Sequence, residues 1–248
     1  MLESFYRLAS KIKRSNFPGR RLLNSLYWQP ETVVVHFENL DYVVVDDCKF
    51  YASNQIDSIQ RVKGNPWFAN VRPTDVVMDV GANVGAITIP LAKVAKKVYA
   101  IEPVWHEELE RNLKLNDLEN VIVWVCGIGK ALGTRAISFS SKENYVRVIP
   151  FQVIREKIEP IDFLKVDCEG CEWDIEPVEL TGIREIRVEF HIRRGRKKQD
   201  YAKFREWEDW LTKSNYKFTT TYGAQPGPCV PFVECILVNA SKETIEKY

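Results

Sequence analysis

VVMDVGANVGAITIP, residues Val76 to Pro90, decides how this chain folds. A run of β-favouring residues ends in Asp79, breaks into the turn Gly81-Ala82-Asn83-Val84-Gly85 and passes into a helix-like pattern. A strand, a tight glycine turn and a helix N-terminus form a platform on which main chain can approach a nucleotide closely. A second apolar run, Val98 to Ile101, ends in Glu102 about twenty residues further on, the offset at which a carboxylate can accept hydrogen bonds from both ribose hydroxyls. A dinucleotide fold needs G-x-G-x-x-G so that a pyrophosphate can sit on the helix. Here the order is Asp-x-Gly-x-Asn-x-Gly, with Asn83 where a middle glycine would be. Asn tolerates left-handed backbone nearly as well as Gly does, so the turn survives while the nicotinamide reading weakens. The plain alternative, a β–turn–α unit with no ligand, loses ground because Glu102 is in register with the turn.

The rest of the composition narrows the class without deciding it. The 248 residues are 45% hydrophobic and 28% charged, an ordinary globular balance, and the length suits one large domain with an N-terminal appendage. Lys and Arg number 35 against 34 acidic residues, a net charge of +1, so overall charge selects neither nucleic acid nor a membrane surface. No run of about eighteen apolar residues predicts a transmembrane segment, and no secretory signal is visible near Met1. A cytoplasmic location is therefore expected, with the six cysteines as thiols rather than a disulfide framework.

Working outward from the turn, residues 1–70 read as an N-terminal helical and β-hairpin extension, and residues 71–248 as the main domain. In the extension, Leu2, Phe5, Ala9 and Ile12 fall on one helical face before Pro18-Gly19 breaks the pattern. Such a basic amphipathic start can lie on a membrane surface, but its apolar face is short and suits a cap helix better. Glu31–Phe37 and Tyr42–Val45 read as a hairpin joined through residues 38–41. Ile56, Ile59 and Val62 stand at helical spacing before the turn Gly64-Asn65-Pro66. From Asp75 onward strands alternate with helices: strand 76–79, helix 85–96 with Pro90 near its start, strand 98–101, a helix carrying Trp105, Leu109 and Leu113, and strand 121–125. An inserted hairpin (135–139, 145–149) precedes strand 163–166 and strand 186–190. A helix with Tyr201, Phe204, Trp207 and Leu211 on one face and two closing strands, 216–220 and 235–238, complete the pattern. This rhythm predicts an α/β, Rossmann-like architecture: a mostly parallel twisted sheet with helices on both faces.

A second acidic segment, IDFLKVDCEGCEW from Ile161 to Trp173, ends a strand in Asp167 and places Glu169 just beyond. In an open α/β sheet, ligands sit outside the carboxyl ends of the strands, so Asp79, Glu102 and Asp167 are expected to converge on one crevice. Taken together, Asp-Val-Gly-Ala-Asn-Val-Gly, Ala-Ile-Glu-Pro and Phe-Leu-Lys-Val-Asp-Cys-Glu-Gly-Cys-Glu resemble the FkbM family of S-adenosylmethionine-dependent methyltransferases. The glycine turn is similar to motif I of the Rossmann-like methyltransferases. The last segment matches the family form Leu-Lys-Ile-Asp-Val-Glu-Gly-Ala-Glu at Lys165, Asp167, Glu169, Gly170 and Glu172, and departs from it with Cys168 and Cys171. The resemblance covers roughly residues 70–192, inserted hairpin included.

The resemblance implies S-adenosylmethionine as cofactor. Asp79, Gly81, Asn83 and Gly85 would shape the pocket for its amino-acid end, Glu102 would hold the ribose, and Cys126 and Gly127 would border the adenine. Cys126 stands where related enzymes often carry an acidic or amide residue. It also implies methyl transfer to oxygen of a small-molecule or saccharide-like acceptor. The sulfonium is already a reactive methyl donor, so the protein must supply in-line positioning and, for a hydroxyl acceptor, a place for the proton. Asp167 and Glu169 are the first candidates for acceptor orientation or general base; the alternative for Asp167 is a cap on the following turn. His191, in Arg-Val-Glu-Phe-His, is the candidate second base at a strand end, with a structural role as its alternative.

Other features point less sharply. Cys229 and Cys235 could complete four thiolates with Cys168-x-x-Cys171, but their spacing is not that of a second zinc knuckle, so no metal site is expected. The basic run Arg193-Arg194-Gly195-Arg196-Lys197-Lys198 reads as a solvated loop near the crevice, yet it keeps a nucleic-acid partner in view. An RNA methyltransferase is accordingly the second reading: the segment Ile89–Pro103, followed by Leu-Lys-Leu-Asn, is similar to the tRNA guanine-methylating Rossmann enzymes. Their Asn-Pro-Pro-Tyr-like motif is absent, however, and Asp167-Cys168-Glu169-Gly170 occupies its place. A cofactor-binding scaffold without catalysis is the third, and oligomeric state is not legible.

Overall fold

A computed structural model of the protein describes residues 42–51, 59, 67, 70–139, 142–224 and 232–242. The expected helices of residues 1–28, the strand 31–37, Ile56, Val62 and the turn at 64–66 lie outside the described residues. Strand β1 (Tyr42–Val45) pairs antiparallel with β2 (Cys48–Tyr51). The sequence reading pairs Tyr42–Val45 backwards with Glu31–Phe37, which lies outside the described residues; the structure pairs it forwards with β2. The reason is the two-residue connection Asp46-Asp47, both left-handed at φ 46° and 61°, which matches the twist of a tight hairpin. Asp-Asp is a weak signal for such a turn, whereas Asp-Gly would have been a strong one.

The main sheet has seven strands. In chain order they are β3 (Val76–Val80), β4 (Lys97–Ile101), β5 (Val121–Trp124), β9 (Phe163–Val166), β10 (Glu185–Arg193), β11 (Tyr216–Ala224) and β12 (Phe232–Lys242). Their spatial order is β11-β12-β10-β9-β3-β4-β5. Pairings from β10 to β5 are parallel, and β12 runs antiparallel to both of its neighbours. This is the doubly covered, mostly parallel sheet that the alternation of elements predicts. Strands β3 and β9 are buried at every position, as expected for central parallel strands covered on both faces.

The two faces follow the period of two along each strand. Met78, Val80, Leu164 and Val166 point into one apolar cluster, which also holds Phe204, Trp207 and Leu211 of α4 (Lys197–Lys213) and Phe151 of α3 (Phe151–Arg155). Val77 and Phe163 point the other way, against Leu91 and Ala92 of α1 (Thr88–Val94). Ala100 shares that side with Leu109 and Leu113 of α2 (His106–Leu115). Pro90 falls in the first turn of α1, where a missing N–H costs nothing. The inserted segment forms its own small sheet, β6 (Gly127–Ile128), β8 (Lys142–Ile149) and β7 (Gly133–Phe139) in that spatial order. Among the described residues, no helix is long and apolar enough to cross a membrane.

One polar contact interrupts this apolar interior. Asp79 lies opposite Lys165 in the β3–β9 register, and Lys165 Nζ stands 2.8 Å from Asp79 Oδ1, with both side chains almost wholly buried. The same ammonium donates to the carbonyl of Gly81 at 2.7 Å and that of Val80 at 3.3 Å. The other Asp79 oxygen accepts from the Thr88 hydroxyl at 2.6 Å. Burial alone would strip Lys165 of its proton, but the charge of Asp79, and then that of Asp167, holds its pKa above the ordinary value. Removing one member of such a pair strands a buried charge. We therefore expect Asp79→Ala to lower stability by about 3–5 kcal/mol in urea unfolding. Asp79→Ala combined with Lys165→Met should recover most of that loss; additive losses would show that the two groups are not energetically coupled.

Candidate functional site

The strand-end turns build the site. After Val80 the chain turns through Gly81 at φ +78°, Asn83 at φ 50° and Gly85 at φ +94°. Gly81 is compelled on two counts: its φ is left-handed, and a Cβ there would lie 1.8 Å from the carbonyl oxygen of Asp167. The turns after β3 and β9 therefore touch main chain to main chain. Gly81 N and Ala82 N donate to the carbonyl of Ile101 at 2.9 and 3.2 Å, which ties the turn to the end of β4.

Glu102 follows β4 directly and is 5% exposed. One carboxylate oxygen accepts from Asn83 N at 2.7 Å, and the other from Val104 N at 2.7 Å and Trp105 N at 3.0 Å. These bonds fix the carboxylate's orientation before any ligand arrives. A carboxylate offers about four lone-pair sites, so capacity for a hydroxyl donor remains. Asn83 completes its own turn by accepting from Val84 N through Oδ1 at 2.7 Å.

A crevice of about 340 Å³ opens at these strand ends. Gly81, Asn83 and Glu102 line one part of it, Cys126, Gly127 and Ile128 a second, and Asp167, Glu169 and Gly170 a third. The inserted sheet contributes Arg135, Ile137, Val146 and Val148, and Arg193 reaches in from the end of β10. Arg135 is paired with Asp174 at 2.5 Å, and Arg193 donates to Asp200 through its backbone N at 2.8 Å and Nε at 3.0 Å.

Eight of the ten site residues expected from the sequence thus line the crevice or, for His191, touch its lining. Two do not. Asp79 is 0% exposed and sits beneath the crevice, engaged by Lys165 and Thr88. Gly85 faces the core, where a Cβ would meet Leu109 Cδ1 at 2.8 Å; its role is close packing of α2 against the turn. His191 is also placed differently from the expectation of a strand-end base. Strand β10 runs on to Arg193, so His191 lies within it at 1% exposure. Of the basic run, Arg193 closes β10, Lys197 and Lys198 begin α4, and residues 194–198 are exposed.

The cysteines depart from the expectation of thiols: Cys168 and Cys171 form a disulfide. It closes a ring around Glu169 at φ 55° and Gly170 at φ +117°. Among the described residues Cys48, Cys126 and Cys235 are free, and Cys229 lies outside them.

Beneath that ring, Glu172 is wholly buried and accepts from Gly170 N and His191 N at 2.8 Å each. It also faces His191 Nδ1 at 3.2 Å. Burial opposes a charge on His191, but the hydrogen bond and charge of Glu172, followed by the charges of Asp167 and Glu169, outweigh it and push the imidazole up to about 10. Partial loss of solvation raises the Glu169 carboxyl; His191 pulls it back, and Asp167, Glu172 and Glu189 push it up again. Sequence reasoning missed Arg135, which the inserted sheet brings to the crevice. Lys165 did carry a signal, a lone lysine inside an otherwise apolar strand.

Cys126 is 2% exposed, and burial pushes its thiol up to about 11 against the opposing charge of Arg147. At pH 8 its thiolate fraction should fall roughly 100-fold below that of an ordinary cysteine. Peptide mass spectrometry after iodoacetamide treatment should therefore find Cys126 labelled about 100-fold more slowly in the folded chain than in urea, with the gap closing as pH rises toward 11. Equal rates at pH 8 would mean that the thiol is neither buried nor perturbed.

Comparison with known proteins bears on this geometry. A family model described as the methyltransferase FkbM domain matches residues 79–218. An uncharacterized RNA methyltransferase, YljE, of Lactococcus lactis is 44% identical over 85 residues, 34% of this chain and 18% of that protein. A tRNA(Phe) (4-demethylwyosine(37)-C(7)) aminocarboxypropyltransferase of Methanocaldococcus jannaschii is 38% identical over 96 residues, 37% of each chain. The chain thus spans little more than a third of these curated relatives at most. Among solved structures, M. jannaschii TYW2 in complex with AdoMet shares 18% identity at a TM-score of 0.46, covering 84% of this chain and 88% of that one.

Proposed function

The chain belongs to the FkbM family of methyltransferases, and from that premise we propose that it methylates an oxygen of a small-molecule or saccharide-like acceptor held beside the Asp167–Glu169 turn. The cofactor is S-adenosylmethionine, which supplies a methyl group on a sulfonium centre that an acceptor atom can displace. The observation that carries the reading is the Glu102 carboxylate, buried at the crevice wall and oriented by three backbone N–H groups.

The residues present fit an adenosyl group. Glu102 offers the remaining acceptor capacity to ribose hydroxyls. Gly81, with no side chain, leaves main chain open to the ligand at the end of β3, and Asn83 holds the left-handed turn. Cys126, Gly127 and Ile128 present a small, apolar edge suited to a flat base. Asp79, which the resemblance assigns to the cofactor's amino-acid end, acts through the turn it supports.

On the acceptor side, Asp167 and Glu169 stand at the crevice with side chains 25% and 68% exposed. They can orient a hydroxyl and take its proton as the oxygen–methyl bond forms. His191, buried behind them, positions these carboxylates and does not reach an acceptor as a second base. Arg135 and Arg193 border the same space and leave room for an acceptor with acidic or phosphate character.

The second reading, an RNA acceptor, draws support from the RNA-directed names of two relatives and from the exposed residues 194–198. Against it stands the absence of an Asn-Pro-Pro-Tyr-like motif.

Calorimetry tests the cofactor assignment. The wild-type chain should bind S-adenosylmethionine and S-adenosylhomocysteine in the micromolar range, about −8 kcal/mol, and should not bind NAD. Glu102→Ala should weaken both sulfur ligands at least about tenfold; unchanged affinity would remove the ribose role, and equal NAD binding would overturn the cofactor. For the acceptor, bulk tRNA should bind weakly, without the steep salt dependence of multiple phosphate contacts. Tight, salt-sensitive binding that disappears when Arg194, Arg196, Lys197 and Lys198 are neutralised would favour RNA instead.

A further inference from the structure

On the acceptor side of the crevice, four carboxylates close on one imidazole. His191 Nε2 stands 3.4 Å from Glu169 Oε2, 3.7 Å from Glu189 Oε1 and 3.8 Å from Asp167 Oδ1. One ligand atom from each of Asp167, Glu169 and His191 lies within 4.8 Å of the others. Two ligands held at about 2.1 Å from a common ion sit roughly 3.0 Å apart at right angles and about 4.2 Å apart when opposite. All three distances to Nε2 fall inside that range.

A second observation concerns the other face of the ring. Nδ1 lies 3.2 Å from Glu172 Oε1, and the same oxygen accepts the backbone N–H of His191 at 2.8 Å. Glu172 and His191 are 0% and 1% exposed, so this contact is rigid. With Nδ1 held by a buried carboxylate, a cation that displaces the Nε2 proton would meet a ring braced from behind, the arrangement that supports a metal-bound imidazole. The Nε2 side holds the carboxylates of Asp167, Glu169 and Glu189. Even a charged imidazole would leave this cluster with an excess of negative charge. Arg193, the guanidinium at the crevice edge, is engaged by Asp200.

We propose that Asp167, Glu169 and His191, with Glu189 beside them, form a site for one divalent cation at the acceptor side of the crevice. Carboxylate oxygens with a single imidazole nitrogen suit an ion of the Mn²⁺ type. The sulfur atoms nearby are joined to each other in the Cys168–Cys171 disulfide, so a thiolate-bound zinc is not the match. Such an ion would offer its open positions to an acceptor oxygen. That role rests on the methyl-transfer reading above, whereas the existence of the ion site does not.

The test uses the full chain, stripped with chelator and desalted, then titrated with MnCl₂ at physiological salt while free Mn²⁺ is read by electron paramagnetic resonance. Wild type should take up a single Mn²⁺ with micromolar affinity. Glu169→Gln and Asp167→Asn should each weaken it at least about tenfold, and His191→Ala should remove it. Because His191 is buried, its variant can fail for reasons of folding. Glu169→Gln, at a side chain 68% exposed, carries the test once circular dichroism shows a native fold. Absence of stoichiometric uptake in wild type, or uptake that survives both carboxylate substitutions unchanged, overturns the site. S-adenosylhomocysteine binding measured on the same samples separates the two readings. Nucleoside binding without Mn²⁺ uptake rejects the ion site alone, and Mn²⁺ uptake without nucleoside binding rejects the cofactor assignment alone.

Discussion

The buried pairing of Asp79 with Lys165 is the constraint on which the rest of the site depends. Two charges placed between β3 and β9 are tolerable only because each satisfies the other and the remaining donors and acceptors have partners nearby. Lys165 spends its ammonium on one carboxylate and on the carbonyls of Val80 and Gly81. Asp79 spends its second oxygen on Thr88 at the start of α1. A single pair thus joins two central strands, the glycine turn and the first helix. Replacing it with apolar side chains could match its energy but would not dictate where the turn after β3 must lie.

That fixed turn carries the crevice. Gly81 rests against the main chain of Asp167 with no space for a side chain, so the spacing of the turns after β3 and β9 is set by backbone contact. Asn83 donates to Glu102, and Glu102 in turn gathers Val104 and Trp105. The orientation of the Glu102 carboxylate is therefore a property of the turns after β3 and β4 together. Electrostatic preorganisation of this kind lets ligand groups meet partners that need little rearrangement.

How much of this was legible in the sequence follows from the range of each interaction. The β–turn–α unit is local: glycine positions, an Asn suited to left-handed backbone and an acidic strand end lie within one βαβ span, and the sheet followed from the alternation of elements. The burial of Asp79 beneath the crevice was not legible because its partner lies 86 residues away, and a strand-end aspartate looks the same whether it faces ligand or lysine. His191 was placed at a strand end because the apolar run stops at Phe190; pairing of β10 with β12 carries the strand on to Arg193. The carboxylates around that imidazole come from the loop and short helix after β9 and from β10, so no spacing rule for metal ligands finds them. The β1–β2 hairpin was missed because Asp46-Asp47 lacks the glycine that announces a tight turn. The Cys168–Cys171 disulfide was not legible because two cysteines at that spacing look the same whether bridged or free.

The Cys168–Cys171 disulfide has its own meaning for this wall of the crevice. Cysteines only three positions apart enclose so short a loop that bridging them removes little freedom from the unfolded chain. Its effect is felt in the folded protein, where Glu169 and Gly170 become members of a small covalent cycle anchored at the end of β9. Glu169, the most exposed carboxylate lining the crevice, is thereby mounted on a loop closed covalently at both ends, and any ligand meeting it encounters a wall that has already settled into shape.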